Sequence, residues 1–147
     1  MSNAVVKDLN KQVANWTVLF VKLHNYHWFI KGHHFFALHE KFEELYDEAN
    51  EYIDELAERV LALGGKPIGT MAECLQLASI KEATGQEADE TAMVKSVVED
   101  FEILSRELQV GIKEAEEAGD DGTADMFIGI KKSLTKHLWM FRAFLGE

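Results

Sequence analysis

The chain has 147 residues, of which 47% are hydrophobic and 28% are charged. This length fits a single domain, residues 1–147, with enough hydrophobic residues to bury a core. The formal net charge of −11 argues against a general nucleic-acid-binding surface, because neutralising phosphates requires clustered Lys and Arg. The acidity suits a protein that attracts cations, although it also serves simply to keep a chain soluble.

The cysteine content and hydropathy exclude several further classes. The single cysteine, Cys74, excludes an internal disulfide framework and a cysteine-based zinc cluster. No segment combines a basic start, an apolar run and a small-residue cleavage site, so we expect no export signal. No apolar run is long enough to cross a bilayer, and we therefore expect a cytoplasmic protein with no membrane partner.

Hydrophobic residues recur at steps of three and four through most of the chain, which predicts an almost entirely α-helical protein. The first long helix has hydrophobic positions from 9 to 30 and stops at Lys31-Gly32. The second starts near Phe35 and ends at Gly64-Gly65, where glycine allows the left-handed conformation that terminates many helices.

The stretch from 64 to about 89 is long for a connection between two packed helices. It contains one short helix candidate, Met71–Ile80, which Thr70 and Glu73 introduce with the T-x-x-E spacing of a capping box. A single long crossover with short turns elsewhere is typical of ferritin-like four-helix bundles. We therefore predict an all-α fold of that type, with an extra short helix in the crossover.

The remaining sequence predicts two more long helices. Asp89 is placed to cap the third, and Gly111 near its end predicts close approach of a neighbouring helix. This helix ends at Gly119. We expect residues 120–123 to form the turn and the last helix to follow, with hydrophobic positions from 127 to 145.

Potential metal ligands are concentrated around the first predicted turn. His27 precedes it and His39 follows it, while Glu43, Asp54 and Glu58 lie further along the second helix. At 100° per residue, the four positions on the second helix fall within about 100° of one another, so they share one face. Histidine and carboxylate side chains are ligands for iron, manganese and zinc.

Simpler interpretations exist for these residues. His27 occupies a hydrophobic position, where a histidine is ordinarily a hydrogen-bonded core residue, and Asp54 and Glu58 on a charged helix fit a solvated face. Moreover, Glu58 lies about 28 Å along the helix axis from His39, so the two halves of the set cannot share a metal within one subunit.

The spacing of the four helical positions offers a way to bring them together. The pairs 39 with 58 and 43 with 54 have the same midpoint, between residues 48 and 49. If two copies of this helix crossed antiparallel at a two-fold axis there, position 39 of one copy would meet 58 of the other, and 43 would meet 54. The hypothesis from the residues alone is an intersubunit metal site.

Other histidines are weaker candidates. The sequence has no Glu-x-x-His, the motif of bundles that hold two irons within one subunit. We expect His24 to form a local hydrogen bond, His33 and His34 to be exposed turn residues, and His137 to lie on the helix surface or in the core.

An acidic run occupies the end of the third long helix and the start of the last: Glu114, Glu116, Glu117, Asp120, Asp121 and Asp125. Acids at the start of a helix stabilise it by capping and through its dipole. Those at the end of the preceding helix gain nothing from that dipole. Their excess indicates a mouth that attracts cations.

Four strings together resemble the Dps family of mini-ferritins. They are N-Y-H-W-x3-G at 25–32, F-x2-L-H-E-K-F-E-E at 35–44, D-E-L-A-E-R at 54–59 and K-H-L-W-M-F-x-A-F-L at 136–145. The resemblance covers essentially the whole chain. It implies a four-helix protomer, a hollow shell of twelve copies with 23 symmetry, and ferroxidase sites at the two-fold interfaces.

The resemblance also implies individual roles. His27 and His39 match iron ligands from one subunit, Asp54 and Glu58 match ligands from the other, and Glu43 matches a position that is often Asp. Trp28 matches a redox-assisting tryptophan beside the site. Glu40 and Glu44 match acids that start mineral growth. Glu117, Asp121 and Asp125 match acids that line the iron-entry pores.

The implied activity is binding of Fe²⁺, oxidation preferably by hydrogen peroxide and storage of ferric mineral, which protects against oxidative stress. The alternative is a DNA-compacting stress protein, but relatives that bind DNA generally use basic tails. Before Val13 this chain has only Lys7 and Lys11, so we expect little direct DNA binding. A third reading is a purely helical assembly module with solvated acids.

Overall fold

A computed structural model describes residues 3–147, which form five helices and, within that range, no strand. They are α1 (Asn3–Phe29), α2 (Phe35–Ala62), α3 (Met71–Leu77), α4 (Glu90–Glu117) and α5 (Asp121–Phe144). Helix α1 packs against α2 and α4, α4 packs against α5, and α3 lies on α1 within the crossover. The predicted ferritin-like four-helix bundle with a short extra helix is confirmed. Over the described range, no helix is long and apolar enough to span a membrane.

The predicted helix boundaries have the expected local causes. Gly64 and Gly119, which follow α2 and α4, have positive φ angles of 81° and 72°. The Thr70 hydroxyl accepts a hydrogen bond from the Glu73 backbone N–H and the Glu73 carboxylate accepts one from the Gly69 backbone N–H, so the predicted T-x-x-E pair satisfies two backbone donors. The Asp89 carboxylate caps α4 by accepting a hydrogen bond from the backbone N–H of Ala92.

Two predicted boundaries are wrong, and hydrogen bonds explain both. Helix α3 ends at Leu77 rather than Ile80, because the Asn15 side-chain oxygen on α1 accepts from the backbone N–H of Ser79 and Ile80. Residues 121–123, expected in a turn, instead begin α5, because the Asp120 carboxylate accepts from the Thr123 N–H and caps the helix.

The hydrophobic positions predicted from the spacing form one core between the four long helices. Trp16, Phe42, Phe101 and Phe127, one from each helix, are almost completely buried. The core therefore extends along the whole bundle, and polar side chains inside it must find partners across helix interfaces.

A row of polar pairs, here called the polar ladder, joins α1 to α4. Its rungs are Asp8 with Glu114, Asn15 with Glu107, Lys22 with Asp100, and Tyr26 with Ser96. The first three rungs are seven residues apart on both helices, because antiparallel helices present the same faces to each other every two turns. The ladder fixes the register of α1 against α4.

A second polar cluster joins α2 to α5 around the carboxylate of Glu48, which accepts hydrogen bonds from Tyr52, Ser133 and His137. Burial alone would raise the pKa of Glu48, but these hydrogen bonds, with that from His137 first, outweigh it and lower the pKa to about 2. His137 is thus a largely buried structural histidine, one of the two roles expected for it.

The close approach predicted at Gly111 is confirmed. A Cβ atom at this position would lie 2.8 Å from Cε2 of Phe127 on α5, whereas one at Gly129, also helical, would meet nothing within 4 Å.

We expect Gly111→Ala to lower the free energy of unfolding by about 1–3 kcal/mol through overpacking. The matched control Gly129→Ala should raise it by about 0.5–1 kcal/mol through helix propensity. Urea unfolding of both variants measures the difference, and equal stabilisation would contradict a tight α4–α5 contact.

Candidate metal centre

The short connection between α1 and α2 is held by the first residue of α4. The Glu90 carboxylate accepts hydrogen bonds from the backbone N–H of His34 at 2.8 Å and from its Nδ1 at 2.6 Å. The backbone N–H, followed by the imidazole, lowers the pKa of Glu90. Gly32 has a φ of 128°, and a Cβ there would collide with Glu90. His34 is exposed, as expected, but it also anchors the hairpin.

The hairpin places His27 and His39 against each other. Each Nδ1 lies within hydrogen-bond distance of the other residue's backbone carbonyl, at 2.6 Å from His27 and 2.7 Å from His39. The rings stack with centroids 3.6 Å apart and planes 13° apart. A carbonyl oxygen only accepts, so each Nδ1 carries the hydrogen. In the neutral ring Nε2 then has the free lone pair that binds a metal.

The surroundings of this pair explain why His27 was ambiguous from the sequence. His27 is only 6% exposed, so it is a hydrogen-bonded, buried histidine as well as a candidate ligand. Its Nε2 faces Glu43, whose Oε1 lies 3.8 Å away on the exposed side of α2. The His27 Nε2 and the Glu43 carboxylate therefore lie together near the surface, beside the stacked His39 ring; we call these three residues the histidine half-site.

Asp54 and Glu58 lie elsewhere on the protomer. Both are exposed on successive turns of α2, where the hydrogen-bonded Asp54 carboxyl raises the pKa of Glu58. Since α2 is one helix, these acids remain about 20–30 Å from His39 along its axis. Within residues 3–147 of one protomer, no three His, Cys, Asp or Glu side chains are arranged to hold a metal ion. One chain does not bring the predicted set together.

Aromatic side chains flank the histidine half-site. Tyr46 stacks on His24 with centroids 3.7 Å apart and meets the ring of His27 edge-on at 5.3 Å. Trp28 is 66% exposed and contacts His24 at 5.3 Å. The His24 Nδ1 hydrogen-bonds to the Phe20 carbonyl, the local role expected for it.

Tyr46 was not predicted as part of the centre, although a signal existed. It lies seven residues after His39, so two helical turns place it on nearly the same face. Burial, followed by the charges of Glu43 and Asp47, raises the pKa of Tyr46. The half-buried Tyr46 and Ile53 pack partly against the protomer's own core.

The acidic run divides into paired and exposed members. The Asp120 carboxylate is 2.8 Å from the Arg59 guanidinium; hydrogen bonds from Thr123 and then Arg59 outweigh burial and lower the pKa of Asp120. Glu117, Asp121 and Asp125, matched to the family's pores, are exposed around the α4–α5 turn. One end of the bundle therefore carries a group of solvated carboxylates.

Glu40 and Glu44, matched to acids that start mineral growth, lie one turn apart on the exposed side of α2. The Glu44 carboxylate has Lys41 Nζ at 3.5 Å, a loose surface pair that leaves it largely solvated. Both side chains are free to meet ions from solution.

Comparison with known proteins agrees with this fold. The model of a ferritin-like domain matches residues 6–147. General stress protein 20U of Bacillus subtilis is 57% identical over 146 residues, 99% of this chain and 100% of that protein. DNA protection during starvation protein 2 of Bacillus anthracis is 52% identical over 147 residues, 100% of both chains. A crystal structure of a Dps protein from Bacillus brevis is 56% identical, covers 99% of each chain and superposes with a TM-score of 0.95. The chain belongs to the Dps family of ferritin-like proteins.

Proposed function

We propose that this protein oxidises Fe²⁺, preferably with hydrogen peroxide, and stores the product as ferric mineral inside a twelve-subunit shell. The histidine half-site carries the proposal, since two imidazoles whose Nδ1 atoms are held by backbone carbonyls and a carboxylate suit Fe²⁺. Membership of a ferritin-like family supports it. Crystal structures of a relative, Listeria innocua Dps, have been solved after soaking with zinc and with cobalt.

The rest of the site comes from a second subunit in this proposal. Two α2 helices crossing antiparallel near residues 48 and 49 would set His39 and Glu43 of one subunit against Glu58 and Asp54 of the other. Two identical sites would form per pair of subunits, each with His27 of one chain and the acids of its partner. The shell is then built from these two-fold pairs.

The residues of the site have distinct tasks. The backbone carbonyls hold both imidazoles in the tautomer that presents Nε2, so no ring has to rearrange when Fe²⁺ arrives. The carboxylates compensate the metal charge and must be ionised to do so; the neighbouring Asp54 raises the pKa of Glu58, so low pH weakens binding. Two Fe²⁺ supply the two electrons that split the O–O bond of one peroxide, which avoids one-electron reduction to hydroxyl radical.

Other acids serve the substrate before and after oxidation. Glu117, Asp121 and Asp125 attract Fe²⁺ to the entry pores, and Glu40 and Glu44 start mineral growth. Trp28 assists the redox step from the edge of the aromatic cluster, through its contact with His24.

Iron oxidation tests the proposal directly. Wild-type protein titrated anaerobically with Fe²⁺ and then peroxide should consume two Fe²⁺ per peroxide and give particles that sediment as mineral-filled shells. We expect His27→Ala/His39→Ala to lower the initial oxidation rate by more than about tenfold, because the nitrogen ligands are gone. His33→Ala, which changes an exposed histidine in the connection between α1 and α2, is the control and should oxidise iron like wild type. An equal rate in the double variant would refute the assignment.

DNA compaction is the alternative function, and relatives are named for DNA protection. The chain has 15 Lys and Arg against 26 Asp and Glu, and Lys11 is engaged with the Leu77 carbonyl. We expect no gel shift with plasmid DNA even at low salt, because the charge is repulsive. The same protein with an added lysine-rich N-terminal segment should shift DNA and serves as the control. A strong shift by the unmodified protein would favour DNA compaction.

A further inference from the structure

The described surface has a groove between α1 and α4, next to the end of α3. It has a volume of about 220 Å³ and is lined by Lys7, Asp8, Lys11, Gln12, Leu77, Glu107 and Val110. It lies at the first rung of the polar ladder, on different elements from the histidine half-site. None of its residues has a role in the proposed iron oxidation.

Two side-chain oxygens in this groove are buried without a hydrogen-bond donor among the described residues: Asp8 Oδ2 and Gln12 Oε1. Gln12 is only 2% exposed, so its amide oxygen is shielded from solvent and has no protein hydrogen bond to replace those it would form with water. The two residues are four apart on α1 and therefore lie one above the other on the same face. The groove thus presents two acceptors that need a positive or donating partner.

A third oxygen donor comes from α4 and lies beside Asp8. Glu114 lies within hydrogen-bond distance of Asp8, and burial followed by Glu114 raises the pKa of Asp8 to about 7. Two carboxyl groups in such contact repel each other unless a proton or a cation lies between them. Near neutral pH, a metal ion that binds between the two carboxyl groups would therefore displace the proton from Asp8.

The other charged groups of the groove do not supply the missing partner. Both carboxylate oxygens of Glu107 are occupied, one by the Asn15 amide at 2.7 Å and the other by the Ser79 hydroxyl at 2.5 Å. Lys11 Nζ donates to the Leu77 carbonyl at 2.8 Å, and the exposed Lys7 only partly offsets the rise in the pKa of Asp8.

We propose that Asp8, Gln12 and Glu114 form a binding site for a hard divalent cation of the Ca²⁺ type, separate from the iron site. All available donors are oxygens, with no nitrogen or sulfur that would select a transition metal. Ca²⁺ accepts carboxylate, amide and water oxygens in an irregular shell, and the groove has room for the waters that would complete it. A bound ion would clamp the start of α1 to the end of α4.

Calorimetric titration of the assembled protein with Ca²⁺ at pH 6, in buffers of different ionisation enthalpy, tests the site. We expect one saturable Ca²⁺ per chain and release of about one proton as the carboxyl pair gives up its hydrogen. Asp8→Asn, Glu114→Gln and Gln12→Leu should each weaken binding at least about tenfold, and Asp8→Asn should abolish the proton release. Glu99→Gln, at an exposed position of α4 outside the groove, is the matched control and should retain both.

Three outcomes would overturn the proposal. They are the absence of saturable Ca²⁺ binding, binding that the three groove variants leave intact, and binding that Glu99→Gln weakens as much as the groove variants do. If Gln12→Leu fails to fold, the two carboxyl variants decide, since each removes a repulsive charge rather than a packing contact. Melting temperature with and without Ca²⁺ gives a second readout, because an occupied site should raise it in wild type and not in Asp8→Asn.

Discussion

Reassembly of two inactive variants is expected to restore about a quarter of the wild-type iron-oxidising sites. One variant carries His27→Ala and His39→Ala, and the other carries Asp54→Ala and Glu58→Ala. Random pairing at equal amounts makes about half of the two-fold pairs mixed. Each mixed pair has one site with every ligand and one site that keeps only Glu43, whereas unmixed pairs contain only half-sites.

The measurement is the initial rate of Fe²⁺ oxidation by peroxide, normalised to particles of the correct size. Each variant reassembled alone provides the baseline, and wild type taken through the same reassembly provides the maximum. Recovery requires sites shared between subunits, because neither chain can complete a site by itself. Well-formed mixed shells that remain at the baseline would refute the split site while leaving the fold and family unaffected.

Replacing Lys22 by methionine is expected to lower the free energy of unfolding by about 3–5 kcal/mol. Lys22 Nζ lies 2.8 Å from Asp100 Oδ2, with side chains only 5% and 9% exposed, and it also donates to the Lys81 carbonyl. Burial raises the pKa of Asp100 even though Lys22 opposes that rise. Without the lysine, Asp100 becomes an uncompensated buried charge.

The pH dependence and a double variant separate this cause from lost packing. A group whose pKa is raised on folding contributes stability that is present at low pH and lost as pH rises through the folded value. Lys22→Met should therefore be weakened more at pH 8 than at pH 5 in urea unfolding. Lys22→Met/Asp100→Leu, which removes both charges, should recover most of the loss. If the double variant is as unstable as the single, charge burial is not the cause.

Local information was sufficient for most of the fold. The steps of three and four in hydrophobic residues depend only on helix geometry, so α1, α2, α4 and α5 were predicted close to their observed bounds. Capping by Thr70 and Asp89 depends on residues three apart. The error at Ile80 arose because Asn15, on another helix, ends α3 early. The error at residues 121–123 arose because the capping acid Asp120 starts α5 immediately after itself.

The candidate site was predictable in composition but not in arrangement. Positions 39, 43, 54 and 58 share a helical face because α2 is regular, and this was apparent without coordinates. The state of His27 was not, because its hydrophobic position fits a core residue as well as a ligand. Tyr46 was overlooked because an aromatic residue at helical spacing ordinarily signals packing.

By itself, the sequence determined the helices, the shared face of the candidate iron ligands on α2 and the acidic character of the chain, since each depends on spacing or composition. Only the tertiary structure decided what the side chains do. The His27 and His39 rings exchange hydrogen bonds with each other's backbone because the hairpin superimposes two turns twelve residues apart. Asp8 and Glu114 face each other because antiparallel packing of α1 and α4 joins residues from opposite ends of the chain. Such contacts are set by helix register, which the periodicity of a single helix does not contain.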